Sequence, residues 1–301
     1  MNKKIKILLQ ILVIVTILFF MGKQIANSWQ YLKDYDWNFN YFYLVISFLL
    51  SLFYFALIAF GWFLILKKMN IKINFVKAAN IRAATQFGRY IPGKVWHIVG
   101  RTYYTNKLNI PSIKILTSVG LEIACSLIAA FIVFLFTLPF FLKHTNFEIF
   151  LFLFVVISII LVLIKPSIFS KFINTGLRIL GKSEIEFNLK YKDIFLIILW
   201  FTFSWFLNGV AFFMLINSIY RVDLSILLLI SGVYAISWVI GFLSFLTPAG
   251  IGVREGILSG MLSFYVPPSI AIIISFIARV MIMLVEITFF IMFTFIDKKK
   301  R

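Results

Sequence analysis

Apolar residues run along this chain in long blocks rather than in alternation. Seven blocks stand out, at about 5–22, 42–66, 115–142, 147–164, 194–217, 224–246 and 270–296. Each approaches the roughly 20 apolar residues that an α-helix needs to cross a bilayer. None shows the period of two expected of a membrane barrel strand. The pattern predicts an all-α fold: a polytopic transmembrane helix bundle of about 7–8 spans, with residues 1–301 forming a single integral membrane domain. The opening run, MNKKIKILLQILVIVTILFFMG, looks like a signal peptide. Its apolar part is longer than the usual 7–15 residues and no clear small-x-small cleavage site follows, so a retained first helix is expected.

Two segments break the pattern. Residues 246–258 read LTPAGIGVREGIL, with a proline, two glycines spaced by one residue and an Arg-Glu pair between two apolar blocks. Residues 78–111 contain IPGKVWHIVGR and carry Arg82, Arg89, Lys94 and Arg101 among Ile, Val, Trp and Tyr. The charges make an ordinary spanning helix implausible there, and leave an interfacial amphipathic helix or a re-entrant hairpin. Each broken segment, about 78–111 and about 247–268, follows a long apolar block. Gly/Pro-interrupted segments at matching places in two halves point to a transporter binding site and to an inverted repeat. The blander reading of each is a turn at the surface with its charges in water. GIGVREG also resembles a dinucleotide fingerprint, but no strand precedes it, and that fingerprint needs a βαβ unit.

Charge gives direction. Lys3, Lys4 and Lys6 place the N-terminus inside, and the basic loop at about 165–192 reads as cytoplasmic by the positive-inside rule. Seven crossings would then leave the C-terminus outside, yet the chain ends DKKKR. One more passage is therefore expected between 247 and 268, whole or as a broken helix inside the protein. Both termini are expected in the cytoplasm, in a multi-pass protein of the cell membrane.

Composition sharpens this. The chain is 62% hydrophobic, against roughly 45–50% in soluble domains. A net charge of +18 would suggest nucleic acid in a soluble protein. Here the basic residues flank apolar blocks and no nucleic-acid motif accompanies them, so a basic face toward anionic headgroups is the better reading. A single cysteine, Cys125, excludes an intrachain disulfide. His97 and His144 lie far apart with no H-E-x-x-H pattern. No metal, cofactor or catalytic residue is expected.

The candidate chemistry is charge where charge is expensive. Intramembrane ionisable groups cost at least about 2.5–3.5 kcal/mol on insertion scales, which makes them functional candidates. Freed backbone at a broken helix needs a protein or aqueous environment, and its N-terminal N–H groups favour anions. The candidate lipid-binding residues are therefore Arg89, Pro92, Gly93, Lys94, Arg101 and Glu122 in and after the first broken segment, and Pro248, Gly250, Gly252, Arg254 and Glu255 in the second. Arg279 and Glu286 share a face of the last helix and are expected in structural ion pairing, Arg279 with Glu286 or Glu255. Glu122 is expected to meet Arg89 or Arg101 if its role is structural. Trp205 and Asn208 read as helix–helix contacts.

GRYIPGKVWHIVGR, the Glu122 region and TPAGIGVREGIL together resemble the membrane region of lysylphosphatidylglycerol synthases, over about 5–296. The family form of the second motif is close to Pro-Gly-Gly-Ile/Leu-Gly-Val-Arg-Glu, and Ala249 stands here for the first Gly. The resemblance implies a lipid flippase or translocase acting on an anionic or phosphate-bearing lipid, either a modified phospholipid or a polyprenyl-phosphate-linked sugar. In the bifunctional synthases a soluble aminoacyl-tRNA-using domain follows this region. Here a standalone member without that domain is expected, leaning away from an enzyme. A soluble or membrane glycosyltransferase or synthase would be its partner. Two alternatives stay open: a membrane-embedded lipid-modifying transferase using Glu122 or His97 as base, and a non-catalytic subunit of an envelope polysaccharide assembly.

Overall fold

The computed structural model describes residues 37–91, 95–138, 189–244 and 247–299, with a few isolated positions elsewhere. The apolar blocks at 5–22 and 147–164, most of the basic loop at 165–192, and Pro92, Gly93 and Lys94 lie outside the described residues. Among the described residues there are eight α-helices and no strand. Five helices are long and apolar enough to cross a membrane: α1 (Tyr41–Lys68), α4 (Ser112–Leu135), α5 (Tyr191–Asn217), α6 (Leu227–Leu243) and α8 (Pro268–Lys299). They match five of the seven apolar blocks, and the protein is a multi-pass membrane protein. Three shorter helices, α2 (Phe75–Gln86), α3 (Trp96–Asn106) and α7 (Val253–Leu262), come from the two broken segments.

Local signals set the helix starts. The Asn40 side chain accepts from Tyr43 N at 3.4 Å, and Asn74 from Lys77 N at 2.7 Å, each satisfying a backbone donor that the first turn leaves free. Asp193 reaches back to Lys190 N at 3.2 Å. Pro268 opens α8, where its missing N–H costs nothing.

Helix α5 is central and packs against α1, α4 and α6. Burial of apolar area drives little association between helices within lipid, so contacts depend on close packing and interhelical hydrogen bonds. Three indoles supply such bonds. Trp200 donates to the Leu57 carbonyl at 2.8 Å, Trp205 to Ser126 Oγ at 3.1 Å, and Trp62 to Ser118 Oγ at 3.1 Å. Ser47 Oγ of α1 donates to the Ala211 carbonyl of α5 at 2.6 Å. Small residues let the backbones approach: a Cβ on Gly209 would fall 2.3 Å from Ser231 Cβ.

The broken segments form two hairpins that enter the bundle from opposite ends, and α8 is the ruler. The first hairpin is α2, the 3-10 turn Phe87–Tyr90, and α3. Ile71 before it and Ile110 after it share one apolar cluster with Leu66 and Ile115, so it enters and leaves at one end. Lys77 and Asn80 at its base bond Asp297, each at 2.9 Å, while Arg89 and Tyr90 at its tip meet Glu286. Those 11 residues of α8 span about 17 Å. The first segment is therefore a re-entrant hairpin and not an interfacial helix.

The second hairpin is α6, the 3-10 turn Pro248–Gly250, and α7. Its tip meets α8 at Arg279, about 17 Å from the opposite end of that helix. Helix α7 has 10 residues and so covers about 15 Å, half of a bilayer core of roughly 30 Å. The passage expected between 247 and 268 is thus a half-helix inside the protein rather than a full span.

Candidate functional site where two hairpin tips meet

The tip of each hairpin is closed by a glycine against backbone. A Cβ on Gly88 would lie 2.7 Å from His97 N, and one on Gly250 would lie 2.7 Å from the Gly241 carbonyl oxygen. In the second tip Ala249, Gly250 and Gly252 have φ of 50°, 69° and 82°. That left-handed run turns the chain between α6 and α7, and Ala249 bears it with a Cβ.

The two tips touch each other. Tyr90, the last residue of the first tip, lies between two guanidiniums, with Arg89 5.0 Å and Arg279 5.5 Å from its ring centroid. Arg279 donates through both terminal nitrogens to the Ala249 carbonyl, each at 3.3 Å, and lies 3.5 Å from the Glu255 carboxylate. Glu286 is held by Arg89 and by the Tyr90 hydroxyl, the latter at 3.0 Å. Glu255 reaches back to Gly252 N at 2.7 Å, capping α7 from its third position. The junction thus gathers Arg89, Gly250, Gly252, Arg254, Glu255, Arg279 and Glu286 from four elements.

Arg254 stands apart. It is 7% exposed and its guanidinium lies 4.8 Å from the Tyr234 ring centroid. Among the described residues no carboxylate comes within ion-pair distance of it and it donates no hydrogen bond. Gly241 makes room for it: a Cβ there would be 2.9 Å from Arg254 Cβ. Among the described residues the junction carries three guanidiniums against two carboxylates, so one cation is left there without an anion.

A second cluster lies along the first hairpin. Glu122 of α4 accepts from Arg82 Nε at 2.9 Å and from Arg101. All three are buried. The Arg101 guanidinium covers the Trp62 ring at 4.6 Å, and the same indole bonds Ser118. This knot ties α1, α2, α3 and α4 together.

The structure separates residues that the sequence had grouped. Arg89 and Arg254 sit at the junction, whereas Arg101 and Glu122 sit in the knot. Arg279 and Glu286 do not pair with each other: Arg279 takes Glu255, and Glu286 takes Arg89 and Tyr90. They share a face of α8 two turns apart, and each is reached by a different hairpin tip. Glu122 meets Arg101 but not Arg89, and Arg82 is its second partner. The surface-turn reading of the second segment fails, because Thr247 is fully buried and Arg254 and Glu255 are buried with it. Pro248 lies in the 3-10 turn Pro248–Gly250.

Sequence reading missed Arg82 as a knot residue, along with Gly88, Tyr90, Tyr234 and Gly241. Arg82 carried a legible signal, since it sits in an apolar stretch. Gly88, Tyr90, Tyr234 and Gly241 carried none, because their roles appear only once each chain segment folds back on another.

No curated protein matches the chain. A family model, that of the lysylphosphatidylglycerol synthase TM region, matches residues 7–289. That span takes in both hairpins, the knot and all the junction residues, and it links the protein to lipid or envelope biosynthesis. The chain belongs to the lysylphosphatidylglycerol synthase transmembrane-region family.

Proposed function

We propose that this protein is a translocase that moves an anionic, phosphate-bearing lipid between leaflets. The observation that carries the reading is Arg254: a buried guanidinium with only an aromatic face for company, at the meeting point of two hairpins from opposite ends. A charge in such a place is costly unless something uses it. Arg254, Arg89 and Arg279 would bind the headgroup phosphate through charge-assisted hydrogen bonds, and the two tips would open in turn, one toward each leaflet. The lipid is a modified phospholipid or a polyprenyl-phosphate-linked sugar, supplied by a partner synthase or glycosyltransferase. The cell membrane with both termini in the cytoplasm is the setting that the charge pattern favours. A transferase reading has less support, because Glu122, one of its two candidate bases beside His97, already accepts from two guanidiniums.

The test is leaflet exchange. Purified protein is reconstituted into vesicles holding a headgroup-labelled phosphatidylglycerol, and accessibility to an external quencher is followed. Wild type is expected to exchange the label without altering it chemically, and Arg254→Ala to slow exchange at least about tenfold, equivalent to 1.4 kcal/mol or more, with its melting temperature held. Normal exchange by Arg254→Ala removes the phosphate-clamp reading. A chemically altered lipid would instead favour the transferase.

A further inference from the structure

The three buried glutamates are held very differently. Glu122 accepts from two guanidiniums, and Glu286 from a guanidinium and a phenol. Glu255 has one hydrogen bond, from Gly252 N. Arg279 stands 3.5 Å away and spends its terminal N–H groups on the Ala249 carbonyl. Arg279 Nε is buried with no hydrogen-bond partner, and Arg254, the residue before Glu255, has no anion among the described residues. Glu255 therefore rests in a seat with room for an anion of higher charge: the positive end of a ten-residue helix, the Gly252 N–H it accepts from, and the Arg279 guanidinium, which it does not satisfy.

We infer that Glu255 is a resident counter-anion. Its carboxylate holds the α7 N-terminus and Arg279 while the protein is empty, and the lipid phosphate displaces it. This rests on the translocase reading and adds how the site is kept closed and how it releases cargo. A phosphate offers more acceptor oxygens than a carboxylate, so it can take Gly252 N–H and Arg279 together and still present charge to Arg254. The return of Glu255 then competes the headgroup off. The empty site keeps an anion of its own beside Arg279, which lowers the cost of crossing between the two open states without cargo.

The experiment measures binding of dioctanoyl phosphatidylglycerol to the full chain in an uncharged detergent, with dioctanoylglycerol as the control lacking phosphate. Glu255→Gln is suitable because glutamine at this position caps a helix as glutamate does but leaves the guanidiniums without a competing charge. It is expected to lower Kd for the phospholipid by about tenfold, and to slow exchange as release becomes limiting. Asp297→Asn, at the base of the first hairpin, is expected to leave Kd unchanged. A wild type too weak to measure beside a binding Glu255→Gln also supports the inference. An equal or higher Kd in Glu255→Gln, with wild type binding, overturns it: Glu255 is then only a helix cap, and the translocase reading stands. Binding by neither protein overturns both.

Discussion

The two hairpins are built alike and charged differently. Each closes its tip by pressing a glycine against backbone, Gly88 on His97 and Gly250 on Gly241, and each brings arginines into the interior. In the first hairpin Arg82 and Arg101 share Glu122, and an indole covers one of them. In the second Arg254 has no carboxylate among the described residues, and Glu255 is loosely held. Burying a charge is tolerated where it is paired and hydrogen-bonded. The first hairpin meets that condition and reads as a fixed element. The second meets it only in part, which is what a ligand-binding tip requires. Arg279 of α8 links the two, with its guanidinium 5.5 Å from the Tyr90 ring centroid of the first tip and bonded to the Ala249 carbonyl of the second.

If the first hairpin is the fixed one, its knot should cost most to cut. Glu122→Gln leaves two buried guanidiniums without an anion and is expected to cost about 3–5 kcal/mol. The readout is a large fall in melting temperature in detergent and in yield of folded protein. A melting temperature within a few degrees of wild type would show that the knot is not structural and would dissolve the contrast between the hairpins.

The next effect falls on the second tip. Gly250→Ala sets a Cβ against the Gly241 carbonyl at a positive φ, and is expected to cost roughly 2–4 kcal/mol from backbone strain and overpacking together. Because the strain is local, exchange should fall further than thermal stability does, whereas Glu122→Gln should lose both together. The smallest effect has the opposite sign. Ala249 adopts φ 50°, so Ala249→Gly should relieve left-handed strain of about 1 kcal/mol, seen as a melting temperature raised by a few degrees. Unchanged stability would mean that the tip accommodates the alanine Cβ without strain.

The fold was legible where the signal was local. Long apolar blocks gave α1, α4, α5, α6 and α8 to within a few residues, or seven at the end of α4, because crossing a bilayer demands a stretch of fixed length and composition. The proline and glycines of TPAGIG marked the second tip, since only a break in helical hydrogen bonding explains them in so apolar a context. The crossing count placed that tip in the membrane but not the length of α7. The choice between an interfacial helix and a hairpin for 78–111 was not legible, because it turns on the packing of α2 along α8. The site was half legible: the charged residues announced themselves by their cost, but their grouping did not. Arg279 and Glu286 look like partners on a helical wheel and are parted by two tips arriving from elsewhere.

By itself, then, the sequence determined that the chain is helical and membrane-spanning, where its helices break, and which side chains carry charge into the interior. These follow from the solvent: lipid forces backbone to bond within each segment and makes every charge conspicuous. Only the tertiary structure decided that the breaks belong to opposed hairpins whose tips touch, that Arg82 joins Arg101 on Glu122, and that Arg254 is left over. Pairing among buried charges is decided by which elements meet at a few ångströms, and that meeting is fixed by packing between segments as much as 200 residues apart, as in the contact of Arg89 with Glu286 (|i−j| = 197).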